Sequence, residues 1–131
     1  MLTDPIGDMF TRIRNALAQR HAEVRIPYSK LKYSICEILF KNGFVESFKI
    51  DKDENSKQII LIKLKYKKDT SPILKNLRRI SKPSKRVYIA KDEIQKPKGF
   101  GVLFLSTSKG VVCGKTARNL NVGGEVLGEV W

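Results

Sequence analysis

The sequence predicts an α/β protein of the α+β kind, made of two small packed domains that cover residues 1–66 and 67–131. Three observations lead to this fold class: an apolar face at helical spacing near the N-terminus, alternating residues in QIILIKLKY, and strand-like segments between turns in the second half. With 131 residues and 41% hydrophobic content, the chain is long enough to bury a core.

The first domain is predicted as a helix, a strand, a second helix and a two-stranded hairpin. In PIGDMFTRIRNAL the apolar residues recur at helical spacing, which predicts one buried face. Arg12 and Arg14 fall off that face, so their guanidinium groups can reach water or phosphate. EVRIP is the predicted strand. Ser29 is the expected N-cap of the second helix, Lys30 lies in its first turn, and Gly43 is placed to end it.

The second domain is predicted as strands around turns. ILKNLRRI fits a helix or a strand, and the strand is favoured because SKPSK then forms a turn that leads into the β-rich RVYIA. KDEIQK is expected to form one helical turn, broken by Pro97 and Gly99, and the apolar run GVLFLS a central strand. KTARNL is expected to form a short helix, followed by a turn at Gly123 and Gly124 and a last strand in EVLGEVW.

The chain is strongly basic, with 26 Lys and Arg against 13 Asp and Glu and a net charge of +13. A charge of this size favours a polyanionic partner, and nucleic acid is the first expectation. Residues 1–66 hold 12 basic and 8 acidic side chains (+4), and residues 67–131 hold 14 and 5 (+9), so the second half is expected to make most anion contacts. A merely soluble basic surface and a basic DNA-compacting protein stay open as alternatives.

Catalysis, metal binding and membrane insertion have little support in the sequence. His21 is the one histidine, and Cys36 and Cys113 lack the spacing of a zinc site or a disulfide framework, so no cofactor is expected. No apolar run approaches the ~18 residues of a spanning helix, and the N-terminus lacks the features of a signal peptide. A location in the cytosol or inside an organelle is therefore expected, with both thiols reduced.

FLSTSKGVVCGKTARNL, residues 104–120, is similar to the phosphate loop of a nucleotide-hydrolysing enzyme. Such a loop has four residues between its first Gly and the Gly-Lys-Thr, because that length lets backbone N–H groups surround the phosphates. Only three residues separate Gly110 from Gly114, and the sequence lacks an obvious apolar strand ending in Asp to hold magnesium. Nucleotide hydrolysis is therefore an alternative that the spacing disfavours.

The STSKG segment suits binding to a polar, irregular surface. The hydroxyls of Ser106, Thr107 and Ser108 both donate and accept hydrogen bonds, so they can contact base edges and 2′-hydroxyls. Lys109 adds attraction for phosphate. This combination predicts an RNA contact rather than a uniform positive surface.

Several further residues allow two interpretations. Tyr88, beside Arg86 in KRVYIA, could stack on a base, although a tyrosine on a strand is more often part of the core. Gly110, Gly123 and Gly124 permit close approach of a backbone, or they are simple turn residues.

Taken in order and spacing, the motifs of this chain resemble the bacterial-type family eight of small-subunit ribosomal proteins over essentially the whole length. The motifs that carry the resemblance are TDPIGDMFTRIRNA, SKLK at residues 29–32, ISKPSKRVY at residues 80–88, STSKGVV, the following AR, and GGEV close to the C-terminus. Each motif alone is weak, but together they form a highly specific set.

The resemblance implies a two-domain α/β protein without catalytic activity, which binds an irregular helix of the central domain of small-subunit ribosomal RNA early in assembly. The partners that it implies are this RNA and neighbouring small-subunit ribosomal proteins, with no membrane. Family members can also bind their own messenger RNA to repress translation, and a bacterial cytoplasm and a plastid are both compatible locations. Combined with the candidates above, the predicted RNA-binding residues are Arg12, Arg14, Ser29, Lys30, Arg86, Tyr88, Ser106, Thr107, Ser108, Lys109, Gly110, Gly123, Gly124 and Glu125.

Two departures from the family pattern bear on local structure. Ser84 stands where the family usually has glycine after Lys-Pro, and serine there favours a type I turn over a type II turn. Cys113 and Gly114 stand where a Thr-Asp pair commonly precedes the last helix. Because neither provides the usual side-chain cap, that helix is expected to be frayed or short.

Overall fold

The computed structural model describes residues 3–94 and 101–131, which form three α-helices, eight β-strands and one short 3-10 helix. The helices are α1 (Pro5–Ala18), α2 (Lys30–Lys41) and α3 (Gly114–Asn119), and the 3-10 helix is Lys91–Glu93. The strands are β1 (Glu23–Pro27), β2 (Val45–Lys52), β3 (Gln58–Leu64), β4 (Leu77–Arg79), β5 (Tyr88–Ile89), β6 (Val102–Thr107), β7 (Gly110–Cys113) and β8 (Gly124–Val130). The helices accompany two antiparallel sheets, which confirms the predicted fold class. The end of the predicted KDEIQK turn, with Pro97 and Gly99, lies outside the described residues.

The chain divides into two compact units, one formed by Met9–Lys75 and one that combines the residues up to Asp8 with Asn76–Trp131. The unit Met9–Lys75 holds 15 basic and 7 acidic side chains (+8), whereas the other holds 11 and 6 (+5). The larger positive charge expected for the second half therefore does not carry over to the unit that contains STSKG. The domain boundary after residue 66 stays a prediction.

In the unit Met9–Lys75, β3 lies between β1 and β2 in an antiparallel sheet. Ile60, Ile62 and Leu64 are buried while Lys63 is exposed, as the alternation in QIILIKLKY predicts. The apolar face predicted for α1, whose first residues up to Asp8 belong to the other unit, is also buried, and its residues are Ile6, Met9, Phe10, Ile13 and Leu17.

The ends of the helices are set by recurring caps. Ser29 is the N-cap of α2, as predicted, and its hydroxyl accepts a hydrogen bond from the N–H of Lys32 at 3.1 Å. Gly43, with a φ of 76°, follows the C-cap of the same helix, and its N–H and the next one donate back into the last turn in a Schellman motif. The same pair of hydrogen bonds ends α1 at Arg20 and α3 at Asn121, both with positive φ.

In the other unit, β8 is the strand that most others contact. The strand order is β4-β8-β6-β7, and β5 also pairs with β8, so β4 and β5 follow each other along one edge of β8 while β6 lies along the other. The expectation of a central strand in GVLFLS is confirmed by β6. One face of this sheet packs with α3 and the 3-10 helix around Ile94, Leu105, Ala117 and Val126.

The turn between β4 and β5 follows the expectation drawn from its sequence. Lys82 and Lys85 exchange two backbone hydrogen bonds of 2.9 Å, which closes the turn around Pro83 and Ser84. A type II turn requires a positive φ at its third residue, and Ser84 has none. The geometry therefore agrees with the type I turn predicted for serine at this position.

Candidate nucleic-acid interface

The β8 sheet brings together predicted RNA-binding residues that are far apart in the sequence. Glu125 on β8 is registered with Tyr88 on β5 and with Ser106 on β6. Because directly paired residues of neighbouring strands project from the same side of a sheet, these three side chains share one face. We call them the Tyr88–Glu125–Ser106 row. The row is the geometric basis of the candidate interface.

Tyr88 is the most exposed part of this row. This residue is 70% exposed, although it lies on a strand that pairs with the centre of the sheet. The interpretation as a core tyrosine is therefore wrong. An exposed ring on a fixed backbone offers an apolar face on which a nucleic-acid base can stack.

The turn that links β6 to β7 uses one hydroxyl of the STSKG segment for its own structure. The Thr107 hydroxyl donates to the carbonyl of Gly110 at 2.8 Å and accepts from the N–H of Lys109 at 3.1 Å. Ser108 and Lys109 are exposed at the tip of the turn. The hydroxyl proton of Thr107 is therefore already donated within the turn. Contact of this side chain with RNA stays a prediction.

Packing within the protein explains two of the three candidate glycines. A Cβ at Gly124 would lie 2.1 Å from the carbonyl oxygen of Ser106, and one at Gly123 would lie 2.4 Å from the carbonyl oxygen of Ile89. No side chain fits at such distances, so these glycines allow the chain to pass close to β6 and β5. Gly110 has open space beside it but a φ of 105°, a conformation that favours glycine.

Glu125, the middle residue of the row, is held by two side chains. Its Oε2 accepts a hydrogen bond from the Ser81 hydroxyl at 2.5 Å and one from Arg86 Nη1 at 3.0 Å. Burial raises the pKa of Glu125, but these two hydrogen bonds, together with the positive charges of Arg86 and Arg79, outweigh burial and hold the pKa below its usual range. Glu125 is therefore ionised at neutral pH and partly neutralises Arg86.

Ser81 was not among the predicted site residues. Its side chain is completely buried, and its hydroxyl also accepts from the N–H of Val87 at 3.1 Å. Nothing in the letters ISKPSK distinguishes this serine from an exposed turn residue, because its burial depends on β8, about 45 residues further along the chain.

The segment that is similar to a phosphate loop has a different structure. Residues Gly110–Cys113 form β7, which pairs with β6, so their backbone is extended in a sheet and does not surround a phosphate. Cys113 precedes α3 without a side-chain cap to the backbone, and its Sγ lies 3.2 Å from Thr116 Oγ1. α3 is only six residues long, which agrees with the short helix expected there. The backbone geometry therefore gives no support to a nucleotide site.

Four predicted residues lie outside the sheet that carries the row. Ser29 and Lys30 begin α2, where the Ser29 hydroxyl is the helix cap and Lys30 is exposed. Arg12 is exposed on α1, and Arg14 is half-buried and donates to the hydroxyl of Thr11 at 3.1 Å. All four belong to the unit Met9–Lys75. Their contact with RNA stays a prediction.

The remaining chemistry-bearing groups form no reactive site in the described ranges. Within residues 3–94 and 101–131, no group of three or more His, Cys, Asp and Glu side chains is placed to hold a metal ion. Burial and the nearby charge of Glu37 raise the pKa of the Cys36 thiol to about 12, which keeps it protonated. Among the helices that are described, none has the length and apolar character needed to span a bilayer.

Comparison with known proteins agrees with the resemblance inferred from the motifs. The sequence model of the family described as Ribosomal protein S8 matches residues 4–131. The small ribosomal subunit protein uS8 of Geotalea uraniireducens is 48% identical over 131 residues, which cover 99% of this chain and 98% of the relative. The uS8 protein of Thermodesulfovibrio yellowstonii is 48% identical over 132 residues and the full length of both chains, and that of Anaeromyxobacter is 47% identical over 130 residues and 98% of both. On both grounds, the chain belongs to the ribosomal protein S8 family.

Proposed function

We propose that this chain is a structural constituent of the small ribosomal subunit, which binds an irregular helix of the central domain of small-subunit ribosomal RNA and promotes subunit assembly. The observation that carries the proposal is the Tyr88–Glu125–Ser106 row, because it gathers candidate RNA contacts from three strands on one face. Membership of a family of structural, non-enzymatic ribosomal proteins supports this setting and excludes nucleotide hydrolysis as the function.

The chemistry of the row favours irregular RNA over a regular duplex. A paired A-form helix hides the base edges in a deep, narrow major groove, whereas an unpaired base can leave the stack. Such a base can stack on the exposed Tyr88 ring and accept or donate a hydrogen bond at the hydroxyls of Ser106 and Ser108. Lys109, at the tip of the same turn, is placed to contact the phosphate backbone.

The other unit supplies further cations for the RNA backbone. Arg12 and Lys30 are exposed, and the unit Met9–Lys75 has a net charge of +8. We propose that these residues, with Arg14 and Ser29, contact phosphates and so increase affinity without adding sequence specificity. Neighbouring small-subunit proteins are the further partners that we propose.

Repression of translation of its own messenger RNA is part of the same proposal. A messenger RNA helix with the same unpaired bases would bind the Tyr88–Glu125–Ser106 row in the same way as ribosomal RNA, because the row contacts local RNA geometry. The two RNAs would then compete for one surface. The proposed location is the small ribosomal subunit in a bacterial cytoplasm or a plastid.

Alanine at Ser106 or Ser108 tests whether these hydroxyls contact bases. Neither change removes charge, so each should weaken binding to the irregular helix by about 1–3 kcal/mol, because a buried group of the RNA loses its partner. Binding to a fully paired RNA should hardly change. Titrations of both RNAs at one salt concentration measure the difference in binding, and circular dichroism confirms that each variant is folded. Duplex DNA, added as a competitor, tests the alternative of a DNA-compacting protein.

Thr107 provides a matched control in the same turn. Replacing it by alanine removes both hydrogen bonds of its hydroxyl and should lower the free energy of unfolding by about 1 kcal/mol, whereas serine keeps the hydroxyl and most of the stability. Equal losses on the two RNAs for Ser106→Ala and Ser108→Ala would contradict the proposal, since they would indicate a structural role like that of Thr107.

A further inference from the structure

Ser81 is a completely buried polar residue next to the Tyr88–Glu125–Ser106 row. Its hydroxyl donates to Glu125 Oε2 and accepts from the N–H of Val87 at 3.1 Å. A serine hydroxyl has one proton and two lone pairs, so it can make both hydrogen bonds at once. Removing the hydroxyl would leave Glu125 Oε2 and the N–H of Val87 without this partner.

The main chain on both sides of Ser81 is attached to the same point of β8. The Ser81 N–H donates to the carbonyl of Val126 at 3.0 Å, and the Val126 N–H donates to the carbonyl of Val87 at 2.9 Å. Ser81 and Val87 are thus the two ends of an excursion, residues 82–86, that leaves β8 and returns to it. The bond between the Ser81 hydroxyl and the Val87 N–H closes this excursion immediately before Tyr88.

Glu125 connects the excursion to the row. Its Oε2 accepts from both Ser81 and Arg86, and it is the cross-strand neighbour of Tyr88. The Glu125 side chain is 18% exposed and that of Arg86 is 49% exposed, so the carboxylate is the more sheltered member of the ion pair. Hydrogen bonds to an ionised carboxylate are stronger than those between neutral groups, and they fix the position of both donors.

We propose that Ser81, Glu125 and Arg86 form a positioning cluster that fixes Tyr88 for stacking on an RNA base and limits contact of Arg86 with phosphates. β5 consists of two residues, which is a short ladder for holding an exposed ring. The cluster adds hydrogen bonds at Val87, directly before Tyr88, and at Glu125, the cross-strand neighbour of Tyr88. A ring held in its bound position loses less conformational freedom when a base stacks on it. The inference rests on the proposed function.

A double-mutant cycle tests the link between Ser81 and Tyr88. Ser81→Ala should weaken binding to the irregular helix about tenfold. In a protein that already carries Tyr88→Leu, the same change should have almost no further effect, because there is no ring left to position. Ser84→Ala, at an exposed serine of the same excursion, is the control and should bind like the parent protein. Losses that multiply in the double variant would refute the positioning role.

Glu125→Gln gives a second test that does not depend on a buried substitution. Glutamine keeps an oxygen that can accept from Ser81 but not the charge that pairs with Arg86. We expect tighter binding to a fully paired RNA and a slope of log K against log salt that steepens by about 0.9, as one more phosphate is contacted. An unchanged slope together with unchanged binding to the paired RNA would mean that Glu125 does not limit contact of Arg86 with phosphates, which would overturn that part of the proposal.

The parent protein separates failure of this inference from failure of the proposed function. If it binds the irregular helix no better than the paired RNA, the proposed function is wrong and the positioning cluster has nothing to position. If it prefers the irregular helix but the losses of Ser81→Ala and Tyr88→Leu multiply, only the cluster is refuted.

Discussion

Ser106 and Thr107 are adjacent hydroxyl residues with different surroundings. Successive residues of a strand project from opposite faces, so Ser106 joins the row with Glu125 and Tyr88 while Thr107 faces the other side of the sheet. There the Thr107 hydroxyl bonds within the turn. Of the three hydroxyls in the motif, that of Thr107 therefore stabilises the turn, while base contact of all three side chains stays a prediction.

The lowered pKa of Glu125 predicts a pH-dependent contribution to stability. Since the folded state favours the ionised carboxylate, Glu125 stabilises the protein above the pKa of the unfolded chain, about 4.3, and this contribution disappears as the pH falls through the lower pKa of the folded state. In urea unfolding, the parent should be more stable than Glu125→Gln at pH 7, and the gap should close below about pH 4. A gap that stays constant down to pH 3 would contradict this assignment.

The sequence could identify residue types at this scale but not all of their surroundings. The exposure of Tyr88 and the burial of Ser81 both depend on pairing with β8, which no local pattern near residues 80–88 encodes. The N-cap Ser29 was predictable because its partner, the N–H of Lys32, is three residues away. Local hydrogen bonds could therefore be predicted from the sequence, whereas cross-strand contacts could not.

At the scale of elements, the close approach of β8 to β6 depends on Gly124. We expect Gly124→Ala to lower the free energy of unfolding by about 1–3 kcal/mol or more, because its Cβ would meet the backbone oxygen of Ser106, which cannot move without disturbing the strand pairing. Gly101→Ala is the matched control, since its nearest neighbour is 3.9 Å away, and should change stability by less than about 0.5 kcal/mol.

Urea unfolding of the two glycine variants measures this difference. Similar losses at both positions would show that general backbone flexibility, rather than crowding against β6, explains the glycine. In the folded variant of Gly124 we also expect weaker RNA binding, because the register that aligns Ser106 with Glu125 would shift.

Element types were predicted well where the periodicity was strong. The helical spacing in α1 and the alternation in β3 both match buried faces. The segment Gly110–Cys113 was harder to interpret. It begins with a glycine and is followed by Gly-Lys-Thr, and glycine and lysine next to a short segment are typical of both a phosphate loop and a strand between two turns. Its pairing with β6 shows that the segment is a strand. This pairing depends on the whole sheet rather than on the sequence of the segment.

For the whole molecule, the larger net charge and the Tyr88–Glu125–Ser106 row lie in different units. The unit Met9–Lys75 has the larger net charge, +8 against +5, while the row lies in the other unit. The expectation that charge would mark the principal site depended on dividing the chain after residue 66, and the compact units do not follow that division. Net charge therefore predicts the class of partner, whereas the position that we propose for the specific contacts is argued from strand pairing.

Salt titration tests this distribution in the complete protein. A footprint of about four to six phosphates should give a slope of log K against log salt near −4 to −5, and Lys109→Glu should weaken binding and reduce the magnitude of the slope. Lys57→Glu makes the same change of charge in the turn between β2 and β3, and should have a smaller effect on the slope. Equal effects of the two changes would indicate that net charge alone governs binding, and a slope near zero would exclude a nucleic-acid partner.

The central place of β8 also determines when during synthesis the Tyr88–Glu125–Ser106 row comes into existence. β8 is made after all the other described strands, yet β4, β5 and β6 all pair with it. Until Gly124–Val130 has been translated, these three strands lack their common neighbour, and Tyr88 and Ser106 are not aligned. A nascent chain that stops before β8 therefore lacks the aligned row, so the row is complete only after translation has passed this strand.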